Sequence, residues 1–500
     1  MNLAVVHSRA LDGAAAPEVA VEVHLGTGLP AFHIVGLPDT EVKESRDRVR
    51  SAIQTSGFEF PARKIIVSLA PADLPKASGR FDLPIALGIL AASGQVASEP
   101  LTQCEFAGEL ALSGGLRSVR GALAMAWRAR HAGRVLILPT ASAREAALVS
   151  SVTVLQADSL LQVCAHLNGR QPLPIAESDE ARAMWPMPDM SEVKGQASAR
   201  HALELAAAGG HSLLMIGAPG TGKSMLASRL PGILPPLGDD EALECAALHS
   251  LSAQGFDPAC WRQPPFRAPH HGSSVAALVG GGSVPQPGEI SLAHHGVLFL
   301  DEMPEFERRA LEALREPLET GQVHLARATR RVSYPARFQL VAAMNPCPCG
   351  YAGDETGRCQ CTPEQISRYR GKISGPLLDR IDMQVEMASH SSAELLRSPV
   401  PESSSAILQR VMAARERQCA RQGKVNALLR VGELEQICQV EPGLLEFLSE
   451  LLARLRLSAR ALHRILRLSQ TIADLAEAGR IGRAHVLQAV QLRRQAFARQ

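Results

Sequence analysis

His211-Ser212-Leu213-Leu214-Met215-Ile216-Gly217-Ala218-Pro219-Gly220-Thr221-Gly222-Lys223-Ser224-Met225 is the stretch whose reading decides the fold. The apolar residues up to Ile216 read as a buried strand, and Ser224 through Leu230 read as a helix. Between them, glycines let backbone N–H groups turn inward around phosphate oxygens, and the helix start adds favourable partial charge. A chance glycine-rich turn lacks both flanks, so the spacing predicts an ATP-binding phosphate loop from Gly217 to Ser224, with Met225 next to it among the nucleotide-binding residues. Lys223 is then expected on the β- and γ-phosphates and Ser224 on Mg²⁺.

Downstream, Val297-Leu298-Phe299-Leu300-Asp301-Glu302 is an apolar run ending in two carboxylates. An isolated Asp-Glu pair is usually a solvated turn. Placed after a buried strand and downstream of a phosphate loop, Asp301 suits Mg²⁺ and Glu302 suits orienting the attacking water.

The chain has 500 residues, too many for one hydrophobic core, so two to four domains are expected. Its apolar and charged fractions, 46% and 20%, are those of a soluble globular protein. Net charge is +2, so a nucleic-acid surface has to be local. Aromatics at 4% argue against a broad base-stacking platform. The start, Met1 to Arg9, lacks the pattern of an export signal, and the greasiest run, Leu83 to Ala92, is too short to span a bilayer. A cytoplasmic location without membrane contact follows as an expectation. The ten cysteines are then expected as thiols or metal ligands.

Residues 1–168 read as mixed α/β, with strands at Val19–Leu25, Lys64–Leu69 and Val135–Leu138 and a helix over Glu41–Ser56 ending at Gly57. Residues 169–188 are rich in Pro and acid and read as a linker. Residues 189–387 hold the nucleotide motifs, and 388–500 are helical in pattern and rich in arginine.

Four cysteines, Cys347, Cys349, Cys359 and Cys361, fall close together. A Cys₄ set suits tetrahedral Zn²⁺, which would stiffen a loop with little core of its own. The alternative is four free thiols, an oxidation liability when clustered and exposed. His270, His271, His294 and His295 read as ordinary loop histidines, because neighbours on an extended segment point to opposite faces.

Taken in order, Asp189–Gln196, the phosphate loop, Val297–Glu302 and Leu340–Pro346 resemble AAA+ ATPases, with Asn345 in the sensor-1 position. Ser374-Gly-Pro-Leu-Leu-Asp-Arg380-Ile-Asp382 resembles the arginine-finger segment of the magnesium-chelatase and MCM branch. The resemblance implies that Arg380 reaches the γ-phosphate of a neighbouring subunit in a hexameric ring. Leu457–Arg467 is similar to that branch's sensor-2 helix, with Arg460 as the matching arginine. Pro264–Ser274 and Gly280–Gly288 resemble its helix-2 insert. Thr320–Tyr334 resembles its presensor hairpin, implying that Arg327, Arg330 and Arg331 track DNA phosphates in a pore.

Ser68–Pro84 and Phe106–Val119 resemble the Lon-protease C-terminal fold, of the ribosomal-S5-domain-2-like type. The motif's catalytic serine falls at Phe81 and its lysine at Leu123, so the resemblance implies an inactive protease fold. Such a domain before a chelatase-type AAA+ core with a helical lid is the architecture of the ComM/YifB family, and the match covers essentially the whole chain. Membership implies an ATP-dependent hexameric DNA helicase that promotes branch migration of transforming DNA. The competing expectation is a magnesium-chelatase-like ATPase that remodels a protein.

Overall fold

Val19, Val21, Val23 and Leu25 are buried while Glu22 and His24 between them are exposed, the period-two signature of a strand with one covered face. This strand, Glu18–Gly26, pairs antiparallel with Leu3–Arg9, Val21 facing Val6, and with Lys64–Ala70, Val23 facing Val67. A mixed sheet of 7 strands results, in the order Ala31–Val35, Lys64–Ala70, Glu18–Gly26, Leu3–Arg9, Cys104–Phe106, Val135–Pro139 and Val154–Ala157. The helix Asp82–Ala92 is buried throughout, so the greasiest run of the sequence is a core helix. Gly88 is what lets it lie so close: a Cβ there would stand 2.4 Å from Val23 Cγ2. The helix expected over Glu41–Ser56 runs Thr40–Thr55, begun by Asp39, whose carboxylate accepts from Val42 N at 2.9 Å.

The computed structural model describes residues 2–11, 16–36, 39–72, 74, 76, 78–149, 151–177, 187–252, 254–282, 285–326, 331–353, 357–390, 394, 397, 399, 401–455 and 459–493. Two compact units divide the chain: Met1–Met184 with Asp239–Trp261, and Trp185–Gly238 with Arg262–Gln500. The helix Asp239–Ser250 thus belongs to the first unit, where Leu243, Ala246 and Ala247 share a core with Ala122, Met125 and Ala126. Phe81 and Leu123, the positions aligned with the protease pair, are both fully buried apolar side chains.

The second unit is built on a parallel sheet of 5 strands, in the order Phe266–Arg267, Val297–Leu300, Gln339–Met344, Leu213–Gly217 and Met383–Met387. Its three central strands are buried along their whole length, which is why they read as continuous apolar runs rather than alternating ones. Helices Ser404–Gln422, Leu444–Leu455, Ala459–Leu475 and Arg483–Arg493 follow. Val411, Ile465, Leu468 and Val490 from them pack in the same core as Leu213, Val341 and Met383. The chain is therefore mixed α/β with a parallel sheet and a helical C-terminal region. Among the described residues, no helix is long and apolar enough to cross a membrane.

Candidate active site

Three adjacent parallel strands position the candidate residues. Ile216 pairs with Met344, and Leu300 pairs with Ala342, so the residues following each strand emerge together at one end of the sheet. In open α/β sheets this carboxyl edge, where strand order reverses, is where ligands bind. The phosphate loop follows Leu213–Gly217, Asp301 and Glu302 follow Val297–Leu300, and Asn345 follows Gln339–Met344.

Gly220 and Gly222 take φ values of +80° and +88°, backbone that side chains rarely adopt, and Gly222 leads into the helix Lys223–Ala227. Lys223 Nζ donates to Gly217 O at 2.8 Å, Ala218 O at 2.9 Å and Asn345 Oδ1 at 3.1 Å. Burial lowers its pKa from the ordinary lysine value, against the pull of Asp301 and Glu302. Ser224 Oγ donates to Asp301 Oδ2 at 2.5 Å, and Asp301 Oδ1 accepts from Glu302 N at 2.9 Å. A hydroxyl and a carboxylate so close are the hard oxygen donors that Mg²⁺ takes. Glu302 is half exposed and has left-handed backbone, with φ of +50°. Met225 is exposed one residue beyond the loop, and Arg229 donates to its carbonyl at 2.6 Å.

Beside the loop, Gln196 Nε2 donates to Thr221 O at 3.2 Å and Ala388 O at 2.7 Å. A cavity of about 530 Å³ opens there, lined by Gln196, Ser198, Arg200, Glu386, His390 and Glu402 among others.

The four cysteines converge as their spacing suggests. Cys347 Sγ lies 3.3 Å from Cys349 Sγ and 3.8 Å from Cys359 Sγ, with Cys349 to Cys359 at 3.6 Å. All four sulfurs lie within 4.8 Å of one another. A tetrahedral zinc with Zn–S of about 2.3 Å needs sulfurs about 3.8 Å apart, so the set fits the ion. Donation from Tyr351 N–H, followed by the Cys347 thiol, draws Cys349 down to about 6.

Arg380 and Arg460 do not join this cluster. Asp382 precedes Met383, which pairs with Leu213, so the Arg380 segment meets the sheet at the end opposite the phosphate loop. Arg380 is held by Glu319 and donates to Pro376 O at 2.7 Å. Arg460 is exposed on the helix Ala459–Leu475, one turn before Arg464. Of the basic hairpin residues, Arg327 and Arg330 lie outside the described residues. Arg331 begins the strand Arg331–Pro335, which pairs antiparallel with Gln322–Ala326 as the hairpin reading requires.

Three relationships are not legible in the sequence. His271 Nδ1 lies 3.5 Å from Glu302 Oε2, and the rings of His270 and His271 are 4.1 Å apart rather than on opposite faces. The expectation of opposed side chains fails because the chain turns there instead of running extended. Gly350, in the cysteine loop, is packed on the phosphate loop: a Cβ there would stand 2.5 Å from Pro219 Cδ. Asp382 and Arg464 form the third, a contact at 2.7 Å between residues 82 apart in sequence.

Comparison with known proteins gives matches along almost the whole chain. The family described as magnesium chelatase, subunit ChlI, matches residues 189–395. A second family, described as subunit ChlI of Mg-chelatase, matches residues 21–142, and a third, described as magnesium chelatase, subunit ChlI C-terminal, matches 401–493. The chain is 51% identical to YifB of Escherichia coli over 495 residues, 99% of this chain and 97% of that protein. It is 48% identical over 500 residues to the competence protein ComM of Haemophilus influenzae, 99% of this chain and 98% of that one. Over 193 residues it is 28% identical to the magnesium-chelatase 67 kDa subunit of Heliobacterium mobile, covering 33% and 29% of the two chains.

Proposed function

The chain belongs to the ComM/YifB family of magnesium-chelatase-like AAA+ proteins, and from that membership we propose a cytoplasmic ATP-driven DNA motor. It works as a homo-hexameric helicase that promotes branch migration while incoming DNA is recombined during natural competence. The observation that carries the ATPase part is the convergence of Lys223, Ser224, Asp301 and Asn345 at the ends of three neighbouring strands. Support for the DNA part comes from the relative named as a competence protein and from the basic hairpin between Gln322 and Pro335.

In this reading the backbone from Gly217 to Met225 cradles the phosphates, and Lys223 neutralises the β- and γ-groups. The cavity at Gln196 takes the nucleoside end, its size being that of a small-molecule pocket. Ser224 and Asp301 hold Mg²⁺, which when bound neutralises charge on the transferred phosphoryl group. Glu302 orients the attacking water, and Asn345 holds Lys223 and senses the γ-phosphate. Arg380 and Arg460 come from the neighbouring subunit, whose guanidinium groups stabilise the charge that develops on cleavage. Arg327, Arg330 and Arg331 contact DNA phosphates without reading sequence. Cys347, Cys349, Cys359 and Cys361 hold a structural Zn²⁺.

The test is ATP hydrolysis with single-stranded, duplex and branched DNA, together with movement of a branched junction. Branched DNA is expected to stimulate hydrolysis, with stimulation fading as salt rises. Junction movement that survives Lys223→Ala or Glu302→Gln rules out this motor. A second reading, remodelling of a protein partner, rests on the shared chelatase-type core and is favoured if no DNA alters hydrolysis.

A further inference from the structure

Asp382 occupies an unusual junction in the second unit. One of its oxygens, Oδ2, accepts from Ser212 N at 3.1 Å, at the foot of the strand that ends in the phosphate loop. The other, Oδ1, accepts from Arg464 Nη1 at 2.7 Å, and the same Nη1 donates to Arg380 O at 2.8 Å. His211 Nδ1 stands 3.5 Å from Oδ2, while its Nε2 is 2.7 Å from Thr471 Oγ1 on the helix that carries Arg464. Arg493 Nη1 donates to Ile381 O at 3.2 Å. Burial works against a charge here, yet His211, the Arg464 guanidinium and Ser212 N–H hold the Asp382 carboxyl well below the usual range.

These contacts join three parts that the motor reading treats separately. Strand Leu213–Gly217, the Arg380 segment and the helix bearing Arg460 are all tied to one carboxylate. Arg460 lies four residues before Arg464, hence on the same helix face and about 6 Å away. Asp382 sits five residues before Gly217 in the register of the paired strands, about 16 Å from this chain's own phosphate loop. It is too remote to touch the nucleotide bound there. It is well placed to fix what this chain presents to the next.

We infer that Asp382 and Arg464 are positioning residues: they hold Arg380, and the helix turn carrying Arg460, in the geometry needed at the neighbouring subunit's γ-phosphate. The inference rests on the proposed trans action of Arg380. Its physical basis is the steep distance dependence of an oriented charge contact. A guanidinium held about 1 Å out of place costs about 10²-fold in rate.

The experiment uses full-length protein and ATP hydrolysis with branched DNA. Arg464→Ala is expected to lower kcat about 10- to 100-fold while leaving the KM for ATP within about threefold, because its own loop is intact. Mixed with an equal amount of Lys223→Ala, it is expected to recover activity. About a quarter of the interfaces in a mixed ring then pair an intact loop with an intact finger. Asp382→Asn keeps the shape and the Ser212 contact, so it tests the same point should Arg464→Ala fail to assemble, with the same loss and the same recovery expected. Arg117→Ala, which removes a 3.2 Å ion pair to Glu109 in the first unit, is expected to leave kcat unchanged. The inference is overturned if the Arg464 and Asp382 mixtures stay inactive while a mixture of Arg380→Ala with Lys223→Ala recovers. If that Arg380 mixture also stays inactive, trans action itself is wrong.

Discussion

Asn345 Oδ1 accepts from Lys223 Nζ at 3.1 Å, so the residue after one strand grips the side chain rising from the loop after its neighbour. The pairing is possible because Ile216 and Met344 are in register across adjacent parallel strands. Removing the amide takes one of three acceptors from Lys223 Nζ, leaving Gly217 O and Ala218 O, without touching the loop backbone. Asn345→Ala is therefore expected to lower kcat for ATP about 10- to 100-fold and to change the KM for ATP by less than about fivefold. Steady-state hydrolysis across ATP concentrations decides it. An unchanged kcat removes Asn345 from the site.

What is legible in the sequence follows a physical rule. The phosphate loop and Asp301-Glu302 are local devices: their function demands particular residues at fixed spacing on a strand–turn–helix or a strand end. The four cysteines are legible for the same reason. Asp382 and Arg464 are not, since each alone reads as an ordinary charged residue and only the fold brings them together. The helix Asp239–Ser250 shows the same limit: its apolar face says that it is buried, and nothing in it says against which core. His271 escapes because the rule of opposed neighbours holds for an extended segment, and this one turns.

Gly350 packs the cysteine loop against Pro219 of the phosphate loop. Its φ of +87° excludes most side chains, and an added Cβ would press on Pro219 Cδ at 2.5 Å. Gly350→Ala is expected to raise the KM for ATP about 3- to 10-fold with bound zinc unchanged, because no sulfur is altered. Cys359→Ser is expected to lose zinc and raise the KM together. Metal analysis beside ATP titration separates the two, and zinc absent from the unsubstituted protein ends the Cys₄ reading.

Packing of the first unit predicts its own failure point. Gly88→Ala adds a methyl 2.4 Å from Val23 Cγ2 and 3.6 Å from Val6 Cγ2, in a helix with no exposed residue. Alanine's helix propensity gains about 1 kcal/mol over glycine, while overpacking a closed core costs about 1–3 kcal/mol. The clash is with a short, branched side chain that is itself fully buried, so it has nowhere to move. Net destabilisation of up to about 2 kcal/mol is expected, read as a lower denaturant midpoint for the first unit. A raised midpoint would mean the helix can shift off the sheet.

Glu145 makes the stability of the first unit depend on pH. It lies in the helix Thr140–Ala146, and its Oε1 is buried with no hydrogen-bond partner among the described residues. Burial pushes its carboxyl from the ordinary 4.5 up to about 7. A folded-state pKa raised above the unfolded one means that, as pH climbs from about 4.5, the unfolded chain releases its proton first. The folded state therefore loses relative stability across the range from about 4.5 to about 7, and the loss levels off above that. Its size is at most about 3.5 kcal/mol, since each pH unit between the folded and unfolded pKa values contributes about 1.4 kcal/mol, and the partial exposure of Glu145 reduces it. Glu145→Gln has no proton to release, so its stability relative to the parent is expected to rise between pH 5 and pH 8. Any fixed cost of burying the amide adds equally at both values and cancels in that comparison. Urea melts of both proteins at the two pH values test this, and a difference that stays constant would mean Glu145 remains solvated in the folded chain.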